Sequence, residues 1–149
     1  MGTVIVRATE ADTEILATIL GEIEQYYGGS ADSPDPEQVR SALFGSRPAA
    51  TVLLSRDGEE VTGLASVSLL WPAAGADTSL YLKELYVREP HRRRGIAREL
   101  MTAVHAEARA AGCSRVEWTA DRDNPAALAF YVALGVVPND GKIFYRSQA

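Results

Sequence analysis

The sequence predicts an α/β, or α+β, domain built on one mixed sheet flanked by helices. Three observations lead there. Apolar residues recur every second position in some segments and every third or fourth in others, and the two kinds of segment interleave in the order β-α-α-β-β-β-α-β-α-β-β. No repeat, low-complexity tract or linker-like stretch divides the chain, so residues 1–149 read as a single domain. A chain of 149 residues that is 46% hydrophobic and 23% charged can bury one core without staples.

Val4 to Arg7 forms a short first strand, and Asp12 then caps a helix whose Ile15, Leu16, Ile19, Leu20 and Ile23 fall at helical spacing. The pair Gly28-Gly29, after Tyr26-Tyr27, ends that helix. A loop rich in Gly, Ser, Pro and Asp runs to Pro36 and leads into a short helix over Glu37–Phe44. Two β runs, Thr51–Arg56 and Val61–Trp71, join through an Asp57-Gly58 turn. After a loop from Trp71-Pro72 to Asp77, Leu80–Val87 is a strand.

In the second half Ile96, Leu100, Val104 and Ala108 lie four apart on one helical face, ending at Ala111-Gly112. Arg115–Thr119 is a strand. Asn124-Pro125 opens a further helix with a capping side chain followed by proline in the first turn. Ala127, Phe130, Tyr131 and Leu134 form its apolar face, and Gly135 its C-terminal cap. Val136-Val137 and Lys142–Arg146 are expected to close the fold as a hairpin around Asn139-Asp140-Gly141.

Composition narrows the function. A net charge of −5 disfavours general nucleic-acid binding, which needs a basic surplus to neutralise phosphates. The single cysteine, Cys113, admits no intramolecular disulfide and fits a reducing compartment. The first residues lack the charged and apolar regions of a signal peptide, and no apolar run approaches the roughly 20 residues that span a bilayer. The expectation is a cytoplasmic protein with no membrane partner. Two scattered histidines and one cysteine support no metal site.

The most informative stretch is Leu80-Tyr-Leu-Lys-Glu-Leu-Tyr-Val-Arg-Glu-Pro-His-Arg-Arg-Arg-Gly-Ile-Ala97, an apolar strand, a loop with three arginines and a glycine, then an amphipathic helix. A helix start offers unpaired N–H groups and a positive dipole end, both suited to phosphate oxygens. Gly95 removes a Cβ where a ligand would approach the backbone, Ala97 keeps the first turn open, and Arg92, Arg93 and Arg94 add charge. A solvated basic loop that merely caps a helix would use the same residues.

The spacing Arg92-x-x-Gly95-x-Ala97 between strand and helix resembles the acetyl-CoA pyrophosphate loop of the GNAT superfamily, Gln/Arg-x-x-Gly-x-Gly/Ala. A second segment, Asn124-Pro-Ala-Ala-Leu-Ala-Phe-Tyr-Val-Ala-Leu-Gly135, is similar to that family's Asn-x-x-Ala-x-x-Phe-Tyr-x-x-x-Gly-Phe. The resemblance in element order runs from about Ile5 to Arg146. It implies a mixed, mostly antiparallel sheet splayed between strands 4 and 5, and transfer of an acetyl group from acetyl-CoA to a primary amine. The pantetheine arm would lie in the splay against main-chain groups of Leu85, Tyr86 and Val87. The diphosphate would sit on Arg92, Arg93, Arg94, Gly95, Ile96, Ala97 and Arg98, with Asn124 reaching the co-substrate from the later helix.

The same resemblance puts Tyr131 at the tyrosine that often protonates the departing thiolate. A thiol with a pKa of about 8.5 is a reluctant leaving anion, and a phenol of about 10 can donate to it. An alkylamine with a pKa of about 10.4 needs a base, and Glu84, inside an otherwise apolar strand, is the candidate. A Lys83–Glu84 pair on a solvated face, or a water chain as the base, are the alternatives. The strand resembles that of the diamine and polyamine branch, which commonly has two adjacent acids where this chain has Lys83-Glu84. That exchange weakens the case for a polycation and leaves room for an amino acid or another carboxylate-bearing amine.

In the family, specificity comes mainly from the first two helices, their loop and the strand 3–4 connection. Here these carry Tyr26, Tyr27, Asp32, Asp35, Trp71 and Asp77, and Tyr27, Trp71 and Lys83 are taken as the substrate contacts. His91 reads as packing or a loop contact. The acceptor is expected to be a small molecule, with a protein N-terminus or lysine, or a non-catalytic acyl-CoA-binding module, as alternatives. A homodimer is compatible with the family. A nucleic-acid contact through Arg92–Arg94 is disfavoured by the acidic chain.

Overall fold

The computed structural model describes residues 2–30 and 32–149, which fall into two compact units divided between Trp118 and Thr119. The first unit holds a five-stranded sheet in the order β1-β2-β3-β4-β5. Its strands are β1 Val4–Arg7, β2 Thr51–Asp57, β3 Glu60–Leu70, β4 Ser79–Val87 and β5 Arg115–Glu117. The first four are antiparallel neighbours, and β4 with β5 is the one parallel pair. This is the mixed, mostly antiparallel sheet that the sequence led us to expect.

Three helices of this unit, α1 Thr13–Tyr26, α2 Pro36–Phe44 and α3 Ile96–Ala110, cover the sheet. The core on one face joins Leu16, Ile19 and Ile23 of α1 and Val39 of α2 to Val52, Leu54, Leu64 and Tyr86 of the sheet. On the other face, α3 packs on β2, β3 and β4. Its buried Ile96, Leu100, Met101, Val104 and Ala108 recur every three or four residues, the stripe that a helix lying on a sheet requires.

Two departures from regular pairing matter. Opposite β2, Thr62 is the extra residue of β3, because Ser55 pairs with Gly63 while Arg56 pairs with Val61. In β4 the extra residue is Lys83, because Ser66 pairs with Glu84 while Val67 pairs with Leu82. The second bulge places Leu80, Leu82, Leu85 and Val87 on the α3 face, and Glu84 and Tyr86 on the α1 face.

Asp12 stands at the start of α1 but does not cap it. Its carboxylate accepts from the Thr9 N–H at 2.8 Å within a 3₁₀ turn, and it also pairs with Arg56. The glycine stop is as expected: Gly28 takes φ 90°, and the Gly29 N–H returns to the Glu24 carbonyl at 2.8 Å. β5 stops at Glu117, two residues short of the expected strand.

The second unit contains α4, Pro125–Ala133. Asn124 caps it, its side chain accepting from the Ala127 N–H at 3.2 Å, and Pro125 fills the first turn. Gly135 at φ 84° ends it, and the Val136 N–H bonds back to the Tyr131 carbonyl. The final hairpin does not form. Residues 136–149 contain no strand, although the Gly141 N–H does bond to Asn139 Oδ1. Pro138 has no N–H for a ladder, and an isolated two-strand pairing is marginal in water.

Among the described residues no helix is long and apolar enough to cross a membrane.

Candidate active site

The expected site residues of the first unit concentrate where β4 runs out into α3. β4 pairs with β5 only over Ser79–Tyr81, so no strand of this unit pairs with that edge from Leu82 to Val87. The Arg88 N–H bonds to the Thr62 carbonyl on β3 at 2.9 Å. Alternation along a strand then turns the main-chain groups of Tyr86 onto β3, and those of Leu85 and Val87 outward to the open edge. The close approach of the Tyr86 carbonyl to Gly63 agrees with that orientation.

Past Val87 a short 3₁₀ turn, Glu89–His91, leads to the arginines. Arg93 at φ 66° and Gly95 at φ 78° both lie in the left-handed region. A Cβ on Gly95 would meet no atom within 4 Å, so it is the backbone angle, not crowding, that calls for glycine here. Gly95 is the N-cap of α3 and no side chain caps this end. The first helical bond is Glu99 N–H to Gly95 O at 3.1 Å, so the amides of Ile96, Ala97 and Arg98 have no helical acceptor. Ile96 is buried, Ala97 half-buried and Arg98 exposed. An uncapped helix start beside a strand edge that no strand of this unit pairs presents main-chain donors of the kind that bind a diphosphate and an extended tail.

The three arginines are not equivalent. Arg92 folds back, donating its Nε–H to the Val87 carbonyl at 2.9 Å, with its guanidinium 5.3 Å from the Tyr26 ring centre and 5.4 Å from that of Tyr86. Arg94 faces Asp57 at 3.5 Å and donates to His91 Nδ1 at 3.0 Å. Since arginine only donates, Nδ1 is the unprotonated nitrogen of His91, and Nε2 lies 3.3 Å from Glu60. His91 is thus buried and anchors the loop to the β2–β3 hairpin. Arg93 is exposed and takes part in none of these contacts.

On the α1 face, Arg88 makes a two-pronged pair with Glu22, at 2.8 and 3.2 Å, and also donates to the Val61 carbonyl. The pair holds the Arg88 pKa above its usual value, chiefly through the Glu22 hydrogen bond. Burial, reinforced by the Glu22 charge, raises the Tyr86 phenol above its ordinary 10.0, although Arg92 and Arg88 oppose the shift. Glu84, half-buried, shares this face two residues before Tyr86, whereas Lys83 at the bulge is exposed.

Tyr27 is exposed and meets the edge of Tyr26, ring centres 5.1 Å apart. Trp71 is not part of this cluster. It follows Leu70, which pairs with Ser79, so it stands at the other end of β4 from Val87, roughly 26 Å along the strand. There its indole N–H bonds to the Ala76 carbonyl at 2.9 Å, and the Trp71–Pro72 peptide is cis. A cavity of about 400 Å³ between the start of β2, the end of β3 and the last turns of α3 includes none of the expected site residues.

In the second unit, Tyr131 is half-buried in α4 with its ring 5.3 Å from Phe130, and Asn124 is the helix cap. The side-chain pairs Glu22–Arg88, Glu60–His91 and Asp57–Arg94 were not foreseen, since each joins residues far apart in sequence. Among the described residues no cluster of three or more His, Cys, Asp or Glu side chains could hold a metal.

Comparison with known proteins agrees with this fold. The model of the acetyltransferase (GNAT) family matches residues 15–136. A curated relative, L-ornithine N5-acetyltransferase NATA1 of Arabidopsis thaliana, is 37% identical over 65 residues, which are 44% of this chain and 28% of that protein. The chain therefore matches little more than a quarter of that relative's length. Among solved structures, the integron cassette protein VCH_CASS6 from the mobile metagenome of V. cholerae superposes with a TM-score of 0.86 at 27% identity, covering 100% of this chain and 94% of that one. The aminoglycoside acetyltransferase meta-AAC0020 from an uncultured soil metagenomic sample, solved with sisomicin, gives a TM-score of 0.82 at 19% identity, covering 99% and 96%. The chain belongs to the acetyltransferase (GNAT) family.

Proposed function

We propose that this acetyltransferase moves an acetyl group from acetyl-CoA to the primary amine of a small molecule by direct attack, within one domain spanning residues 1–149. The observation that carries the reading is the β4 edge, which no strand of the first unit pairs from Leu82 to Val87 and which leads into the uncapped start of α3. The outward main-chain groups of Leu85 and the N–H of Val87 suit the amides of a pantetheine arm, the Val87 carbonyl being taken by Arg92. The amides of Ile96, Ala97 and Arg98, with Arg93 nearby, suit a diphosphate. Asn124 would meet the co-substrate from the start of α4.

In the reaction the amine nitrogen attacks the thioester carbonyl carbon. A C–N bond forms, the C–S bond breaks, and the electron pair leaves with sulfur. Tyr131 supplies the proton that the thiolate takes up, and Glu84 receives the one the amine gives up. Main-chain donors at the β4 edge would stabilise the oxyanion as charge develops. Tyr27 and Lys83 border the acceptor, and Lys83 favours an amine that also bears a carboxylate. The ornithine acetyltransferase relative supports that class. The single cysteine fits a reducing compartment and supports a cytoplasmic setting.

The test is calorimetry with acetyl-CoA, followed by a panel of small amines, amino acids and peptides read by free-thiol release. Acetyl-CoA should bind, and small primary amines should release thiol fastest. Absence of binding at millimolar acetyl-CoA would sink the reading. Binding without thiol release across the panel would make the protein a non-catalytic acyl-CoA module.

A further inference from the structure

Arg92 is held in an unusual way. Arg88 and Arg94 each face a carboxylate, whereas Arg92 takes part in none of the ion pairs among the described residues. What fixes it is one carbonyl, Val87, and two aromatic rings, both within the roughly 6 Å over which a ring face attracts a cation. The rings come from different elements. Tyr86 is on β4 itself, and Tyr26 is the last residue of α1, with the two ring centres 6.2 Å apart and nearly perpendicular.

The bond from Arg92 to Val87 ties the first residue of the arginine turn to the end of the open strand. Between those two anchors the backbone has little freedom, and directly after Arg92 come the left-handed Arg93 and Gly95 that aim the amides of α3. Whatever keeps the guanidinium against the carbonyl therefore also keeps the turn in its binding shape. We infer that Tyr26, although on neither strand nor turn, is a positioning residue for acetyl-CoA, acting through Arg92. This inference rests on the functional reading above. It makes the end of α1, and the loop that begins at Tyr27, part of the grip on the co-substrate.

Tyr26 is a clean place to test this, because the residue is 48% exposed, so that truncation removes little core. Acetyl-CoA is titrated calorimetrically into wild type, Tyr26→Phe, Tyr26→Leu, Tyr26→Ala, Arg92→Lys and the double variant Tyr26→Ala/Arg92→Lys, with thermal melts for each. The expected result is an acetyl-CoA Kd raised about three- to tenfold in Tyr26→Ala and Tyr26→Leu, at unchanged amine KM. Tyr26→Phe should stay within about twofold of wild type, since the ring and not the hydroxyl holds the cation. In the Arg92→Lys background, Tyr26→Ala should add nothing further, as residues acting through one contact are not additive. Wild-type affinity in both Tyr26→Leu and Tyr26→Ala, a loss as large in Tyr26→Phe, or full additivity with Arg92→Lys would each overturn the inference. If wild type itself did not bind acetyl-CoA, it is the functional reading that would fall.

Discussion

Gly63 and Tyr86 lie so close across the β3–β4 ladder that a Cβ on Gly63 would stand 2.7 Å from the Tyr86 carbonyl oxygen. The same Cβ would be 3.2 Å from the Val87 Cα. Here the absence of a side chain lets β4 approach β3 directly beside the open edge.

Gly63→Ala should therefore destabilise the protein by about 1–3 kcal/mol, since backbone and not a flexible side chain has to move. Because the displaced residues are Tyr86 and Val87, it should also weaken acetyl-CoA binding. Urea denaturation and calorimetry on the one variant check both effects. A stable variant with wild-type affinity would show that the contact is relaxed at no cost.

Tyr131→Phe keeps the ring against Phe130 and removes only the hydroxyl. It should lower kcat by about a hundredfold while leaving acetyl-CoA affinity unchanged, the signature of a lost proton donor. Full activity across pH would remove Tyr131 from the chemistry.

Glu84→Gln preserves shape on the α1 face of β4 and removes the carboxylate proposed as the base. The expected outcome is a kcat/KM for the amine lower by about a hundredfold, with the acetyl-CoA Kd unmoved. Unaltered turnover would assign the proton to a water chain instead.

Tyr86 gives a prediction in pH. Its phenol titrates above the ordinary value, mainly because burial disfavours the phenolate. The folded state thus holds the proton more tightly than the unfolded chain. That contribution to stability is complete below about pH 10 and is lost as pH rises through the folded value. In Tyr86→Phe the alkaline fall in urea midpoint should be shallower than in wild type. Equal slopes would refute the assignment.

The sequence made α1 and α3 legible through the buried stripe each carries, and α4 through its ends, Asn124-Pro125 and Gly135. It made the arginine turn legible through spacing alone. Less visible were contacts that join distant positions, such as Arg92 with Tyr26, or Asp12 with Arg56, which takes a carboxylate expected to cap α1. The C-terminal hairpin failed for another reason. Its turn bond at Asn139 is present, but turn residues alone do not supply strand partners. The Lys83 bulge was hidden because the flanking strand is apolar at both odd and even positions, so alternation gave no register.

That bulge has an arithmetic consequence. Ahead of it the residues turned toward α3 carry even numbers, Leu80 and Leu82, while after it they carry odd ones, Leu85 and Val87. If Lys83 were instead drawn into a regular ladder, one half of the strand would have to exchange layers with its surroundings. Either Glu84 would be driven beneath α3 or two leucines would leave it. Leaving one residue out of the pairing thus keeps the two halves of β4 in phase with the same protein.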